Sequence, residues 1–243
     1  MRALLSERFA PVTTTIGFLE LPFDEVVEGL ASWRRQLNGQ ITVTPIAGGF
    51  PASIHALEPL AVGTGPRELL ISTHSGWTAY VSNDALGTDE GAIAYLSRTL
   101  GCTGVIVSAR PETAGVPGKI PPRHKWLHWT LFGPLQTQFI NYVRTVAVTY
   151  DNGWHFHAIG TEQDYEEVER YSLRTRRDRF TSEMLERYCQ AIGIDVFNAD
   201  WYGPRCTMVE QQITYANKLT FLTLEETQHR YGIVPGEVDA APD

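Results

Sequence analysis

The chain has little cysteine, and what it has is scattered: Cys102, Cys189 and Cys206 lie far apart with no C-x-x-C. Such spacing gives neither a disulfide framework nor a zinc knuckle, and it fits a reducing, cytoplasmic compartment. Long apolar runs are missing as well. No window approaches the ~18 apolar residues of a membrane-spanning helix, and Glu7 and Arg8 interrupt the stretch that a signal peptide keeps unbroken. Neither membrane insertion nor export by the general secretory route is expected. The motifs of common chemistry are absent too: no G-x-S-x-G builds a nucleophile elbow, no G-x-G-x-x-G follows a strand, and no Walker sequence appears. No cofactor is implied.

Positive charge is in the minority. With 20 Lys+Arg against 28 Asp+Glu the net charge is -8, which repels phosphate backbones and excludes general nucleic-acid binding. An acidic body instead suits a protein partner that presents a basic surface.

What is present is an ordinary globular composition. The 243 residues are 43% hydrophobic and 11% aromatic, enough for a sizeable core in one large domain or two smaller ones. Two stretches read alike: residues 71–81 (ISTHSGWTAYV) and residues 148–158 (VTYDNGWHFHA) each run from a β-branched start through a turn closing on Gly-Trp into alternation. Each reads as a β-hairpin. The second has the stronger signal, because Asn152-Gly153 suits the positive φ values of a type I′ turn. Helical periodicity follows each hairpin: Ile93, Leu96 and Leu100 end at Gly101, and Met184, Leu185, Tyr188 and Cys189 fall on one face behind a Thr181 cap. Thr88 reads as the cap of the first of these helices.

Further segments complete the plan. Strands are predicted at residues 13–21, 40–46, 103–108, 129–135 and 207–213, with a helix at 23–37 and a shorter helical piece near 54–60. A helical run is predicted over 164–174, a strand near 219–222, and a capping box at Thr223 and Glu226 opens a last helix. Local antiparallel pairing with interspersed helices gives an α+β fold, mainly antiparallel sheet with packed helices, in two halves that repeat a Gly-Trp hairpin followed by a helix. The divisions are 1–110, a Pro/Gly-rich linker or loop at 111–123, a second half at 124–234, and a disordered tail at 235–243.

Four groups of residues are candidates for function. His155 and His157 share one face of a strand, where two imidazoles can bind a metal, but no third ligand is apparent and the favoured reading places them as polar residues on the solvent face. His128 and Thr130 resemble one half of the paired H-x-T/S signature of two-histidine phosphoesterases, in which imidazoles act as acid and base; the second half is lacking. Arg170, Arg174, Arg176, Arg177 and Arg179 place five of the 20 basic residues in ten positions. On a continued helix Arg170, Arg174 and Arg177 share a face that suits an acidic partner, unless Glu162, Glu166, Glu167, Glu169 and Asp178 neutralise it. Trp201 and Tyr202, read as an exposed pair in a polar loop, suit a binding hot spot. Cys206 is the one thiol with a cation immediately beside it in sequence, Arg205.

The expected function is that of a non-enzymatic protein-binding module, of which a toxin-neutralising immunity protein is one form. The alternative is a hydrolase working through His155 and His157 with a metal, or through His128 and Thr130. Self-association through sheet edges or the arginine face is a third possibility.

Overall fold

The computed structural model describes residues 3–63, 65–113, 115, 118, 122–137, 139–212 and 219–235. Its centre is a nine-stranded, wholly antiparallel sheet in the order β2-β10-β4-β5-β1-β6-β7-β8-β9. The strands are β1 (Thr15–Leu19), β2 (Ile41–Ile46), β4 (Arg67–Thr73), β5 (Thr78–Ser82), β6 (Gly104–Arg110), β7 (Trp126–Phe132), β8 (Tyr142–Tyr150), β9 (Trp154–Gly160) and β10 (Tyr202–Gln211). A separate two-stranded sheet joins β3 (Leu60–Ala61) to β11 (Phe221–Leu222). Four α-helices accompany them among the described residues: α1 (Phe23–Asn38), α2 (Glu90–Leu100), α3 (Ser182–Ala191) and α4 (Leu224–Arg230). No helix among the described residues is long and apolar enough to cross a membrane. The fold is α+β.

Alternation along each strand divides the side chains between two cores. One face carries Phe18, Leu69, Ile71, Val105, Val107, Leu127, Trp129, Val146 and Val148, and it packs with Phe180, Met184, Leu185 and Tyr188 around α3. The other carries Leu19, Leu70, Tyr80, Ile106, Phe132 and Val209 beneath α1 and α2, which contribute Val26, Leu30, Ile93 and Leu96. Close approach of α2 requires Gly17: a Cβ there would lie 2.5 Å from Ile93 Cγ1.

The local expectations succeed where caps and periodicity agree. Gly101 takes φ 71 at the end of α2, Thr181 Oγ1 accepts from Met184 N, and Thr223 and Glu226 form the reciprocal capping box of α4. Asp89, not Thr88, caps α2, because the Thr88 hydroxyl instead accepts from Ser82 N at 3.1 Å. The predicted helix over 164–174 is absent. In its place are short 3₁₀ turns at Val168–Ser172 and Arg176–Asp178.

The segments 1–110 and 124–234 share one sheet. Strand β10, from the second, lies between β2 and β4 of the first. The helices after the two Gly-Trp hairpins occupy opposite faces, α2 on one and α3 on the other, so the observed likeness is confined to the hairpins. Within 111–123, Thr113 and Arg123 form a bridge; residues 114, 116, 117 and 119–121 lie outside the described residues, as does 236–243 of the predicted tail.

A buried carboxylate fastens α1 to the sheet. Glu68, fully buried on β4, accepts from Arg34 Nε at 2.8 Å and Nη2 at 2.5 Å, from Tyr80 Oη at 2.5 Å and from Gln211 Nε2 at 3.1 Å. One side chain thereby links α1, β4, β5 and β10. Removing one partner of a buried, hydrogen-bonded ion pair strands the other, at a cost of about 3–5 kcal/mol. Glu68→Ala is therefore expected to lower unfolding free energy by roughly that amount in urea titration, and a loss below about 1 kcal/mol would contradict the assigned role.

Candidate functional site

The two Gly-Trp hairpins show what the helices do to a sheet face. Thr78 and Tyr80, after the first Gly-Trp, point to the α1/α2 side and are 0% and 2% exposed. His155 and His157 stand at the corresponding positions after the second and point to the same side, yet both are exposed. The difference is coverage: α1 packs over β2, β10 and β4, and α2 packs over β1, β6 and β7. Beyond β7 this face has no helix among the described residues.

The uncovered end has a definite composition. Cross-strand rows place Ser108, His128, Ala147 and His157 side by side, with Thr130, Thr145 and Ile159 in the next row. Ile159 is 65% exposed, and the parallel rings of His155 and His157 lie 6.4 Å apart, centroid to centroid. His155 Nε2 hydrogen-bonds the Asp151 carbonyl oxygen at 3.0 Å, which withdraws that nitrogen from metal binding. Among the described residues no three His, Cys, Asp or Glu side chains come together to hold a metal ion.

His128 is more enclosed than His155 and His157. Its Nε2 and the Thr130 hydroxyl are 2.6 Å apart, and Thr130 Oγ1 lies 2.9 Å from Thr145 Oγ1. Burial pushes the imidazole pKa below its ordinary value, against an opposing effect from the Glu90 carboxylate. Glu90 also accepts from Tyr142 Oη at 2.7 Å, and the Tyr142 phenol is raised by burial and by that bond. Sequence spacing reveals the His128–Thr130 contact, since residues two apart share a strand face. It does not reveal Thr145, Glu90 or Tyr142, which arrive through pairing register and a helix docking.

The arginine cluster is rearranged relative to the expectation. Glu166 does not neutralise Arg170; it is buried against Arg144, which donates to it from Nε at 2.9 Å and from Nη2 at 2.6 Å. Tyr171 Oη adds a bond to Glu166 at 2.8 Å, and Arg144 Nη1 donates to the Gly160 carbonyl at 3.0 Å. Glu167 pairs with Arg187. Arg170 is half-buried, whereas Arg174 and Arg177 are exposed on the following turns, so the three do not form a helical stripe.

Other candidates are placed less favourably. Tyr202 is 5% exposed and opens β10, donating its hydroxyl to the Val196 carbonyl at 3.1 Å, so it is a buried anchor and not part of an exposed pair. Trp201 is partly buried against the core. Cys206 is buried beside Ser53, and burial raises its thiol pKa, opposite to the activation suggested by Arg205; that arginine pairs with Asp24. No family model, no curated protein and no solved structure matches the chain.

The burial of His128 sets a sign for pH dependence. Because its native pKa is depressed, the unfolded chain takes up the proton first, so this group's contribution to stability falls as pH drops below ~6.5 and levels off below the native value. His128→Gln is expected to flatten the decline in Tm between about pH 7.5 and pH 5.5 relative to the parent chain. Equal slopes in thermal scans would contradict a neutral native His128.

Proposed function

We propose that this chain is a non-enzymatic protein-binding module whose partner engages the β8–β9 end of the sheet. The observation that carries this reading is the change of exposure along one face: Thr78 and Tyr80 of β5, buried on the α1/α2 side, have exposed counterparts on β9. A binding surface rich in imidazole and threonine, with Ile159 at its margin, combines apolar contact with adaptable hydrogen bonding. Toxin neutralisation is one form of this function, for which the partner is a protein toxin encoded beside this chain.

One observation favours a second reading, hydrolysis through His128 and Thr130. A neutral imidazole held by a hydroxyl has the protonation state of a general base. Turnover of phosphodiester or ester substrates that disappears in His128→Ala is its test, and absence of turnover removes it.

For the binding reading, a partner recovered from native cells and reconstituted with the purified chain is expected to slow amide exchange in β8 and β9. Ile159→Arg, at an exposed position, is expected to weaken that complex at least tenfold, about 1.4 kcal/mol. Protection confined to other strands, or no stoichiometric partner, would refute the proposal.

A further inference from the structure

Strand β9 is one edge of the sheet, and its sequence WHFHAIG has no proline, lysine, arginine or carboxylate. Proteins normally blunt sheet edges with such residues, because free backbone groups pair with any extended chain. The opposite edge is blunted in this way: β2 carries Pro45 in its exposed run. Apart from the ladder with β8, no backbone hydrogen bond reaches residues 154–160 among the described residues. Side chains take the carbonyls at its two ends: Trp154 accepts from Arg176 Nη1 at 3.1 Å and Gly160 from Arg144 Nη1 at 3.0 Å, which leaves the backbone between them.

Arg176 belongs to a cationic turn beside the edge. Arg179 is fixed by a 2.7 Å bond from Nε to the Leu173 carbonyl and lies 5.7 Å from the centroid of the Phe156 ring. Arg174 and Arg177 are exposed. Glu166 and Glu167 are committed to Arg144 and Arg187. Among the described residues, Asp178, 3.6 Å from Arg177, is the one acid within ion-pair distance of Arg174, Arg176, Arg177 or Arg179. The body carries -8 overall, but charges separated by more than about 8–10 Å are largely screened at physiological salt; Glu112, Asp178 and Glu183 line one surface pocket with Arg177, and among the described residues no acid pairs with Arg174, Arg176 or Arg179.

We infer that an acidic, extended segment of the partner adds to the open edge of β9, with its carboxylates against the arginines of residues 174–179. The inference rests on the protein-binding reading and names the partner's chemistry and mode of docking. Charge selects this occupant over a second copy, since the arginines attract a strand that carries carboxylates and the twin's own edge, WHFHAIG, has none. It selects a peptide over nucleic acid, because strand addition needs a partner with its own backbone amides, and the acidic body repels a long polyanion.

The test uses the full chain and two octapeptides, one alternating glutamate with valine and one alternating lysine with valine. The glutamate peptide is expected to bind with Kd of about 10–100 µM in fluorescence anisotropy and to slow amide exchange at 155–160. The double variant Arg174→Glu/Arg177→Glu is expected to weaken it at least tenfold, while its unchanged Tm shows that the fold is retained. No saturable binding up to about 1 mM, equal binding of the lysine peptide, or protection outside β9 would overturn the inference. So would dimerisation through β9 in sedimentation, or tighter binding of an oligonucleotide of about 20 nucleotides. If the peptides fail but a recovered partner still protects β8 and β9, strand addition is lost and the binding module stands; if no partner is recovered, the broader reading fails.

Discussion

The width of the sheet sets the terms for everything built on it. Nine strands at about 4.8 Å spacing span roughly 38 Å, whereas a helix with its side chains is only about 10–12 Å across. Two helices side by side therefore cannot cover one face. In this chain α1 and α2 take the region from β2 to β7, and the remainder is left with threonine, histidine and a few apolar side chains suited to partial exposure. The candidate surface is thus a consequence of geometry as much as of residue choice.

Two buried carboxylates hold this arrangement in register. Glu68 gathers Arg34, Tyr80 and Gln211 at the covered end, and Glu166 gathers Arg144 and Tyr171 near the uncovered one. Each sits where apolar packing alone would let a helix or loop slide. A fully hydrogen-bonded acid specifies one position, because displacement leaves charge stranded in a medium of low dielectric. The second clamp also withdraws Glu166 from the arginine cluster that follows it.

Local chemistry made much of the fold legible in sequence. Asn152-Gly153, the Thr223/Glu226 capping box and the stripe of Met184, Leu185 and Tyr188 each specify a structure within a few residues; the hairpin, the capping box and the helix all appear, although the hairpin closes through the three residues 151–153, with φ 150 at Gly153, and not through a type I′ turn. Order in the sheet was not legible. That Tyr202–Gln211 lies between β2 and β4 depends on long-range pairing, which alternation alone does not assign. The same limit applies to the site: His155 and His157 were visible as a pair, but their exposure follows from where α2 stops. The run of charge at 164–179 misled because Glu166 at four residues from Arg170 imitates a helical pair, while its actual partner, Arg144, lies on β8.

Strand β10 also imposes a timetable. During synthesis β2 and β4 emerge early, and the strand that separates them follows β4 by about 140 residues. At about 5–20 residues per second the nascent chain spends roughly 7–30 s with both flanks of that gap unpaired. The blunt, proline-bearing β2 and the buried acid on β4 then take on another significance: they disfavour premature partners during the interval in which β10 does not yet exist.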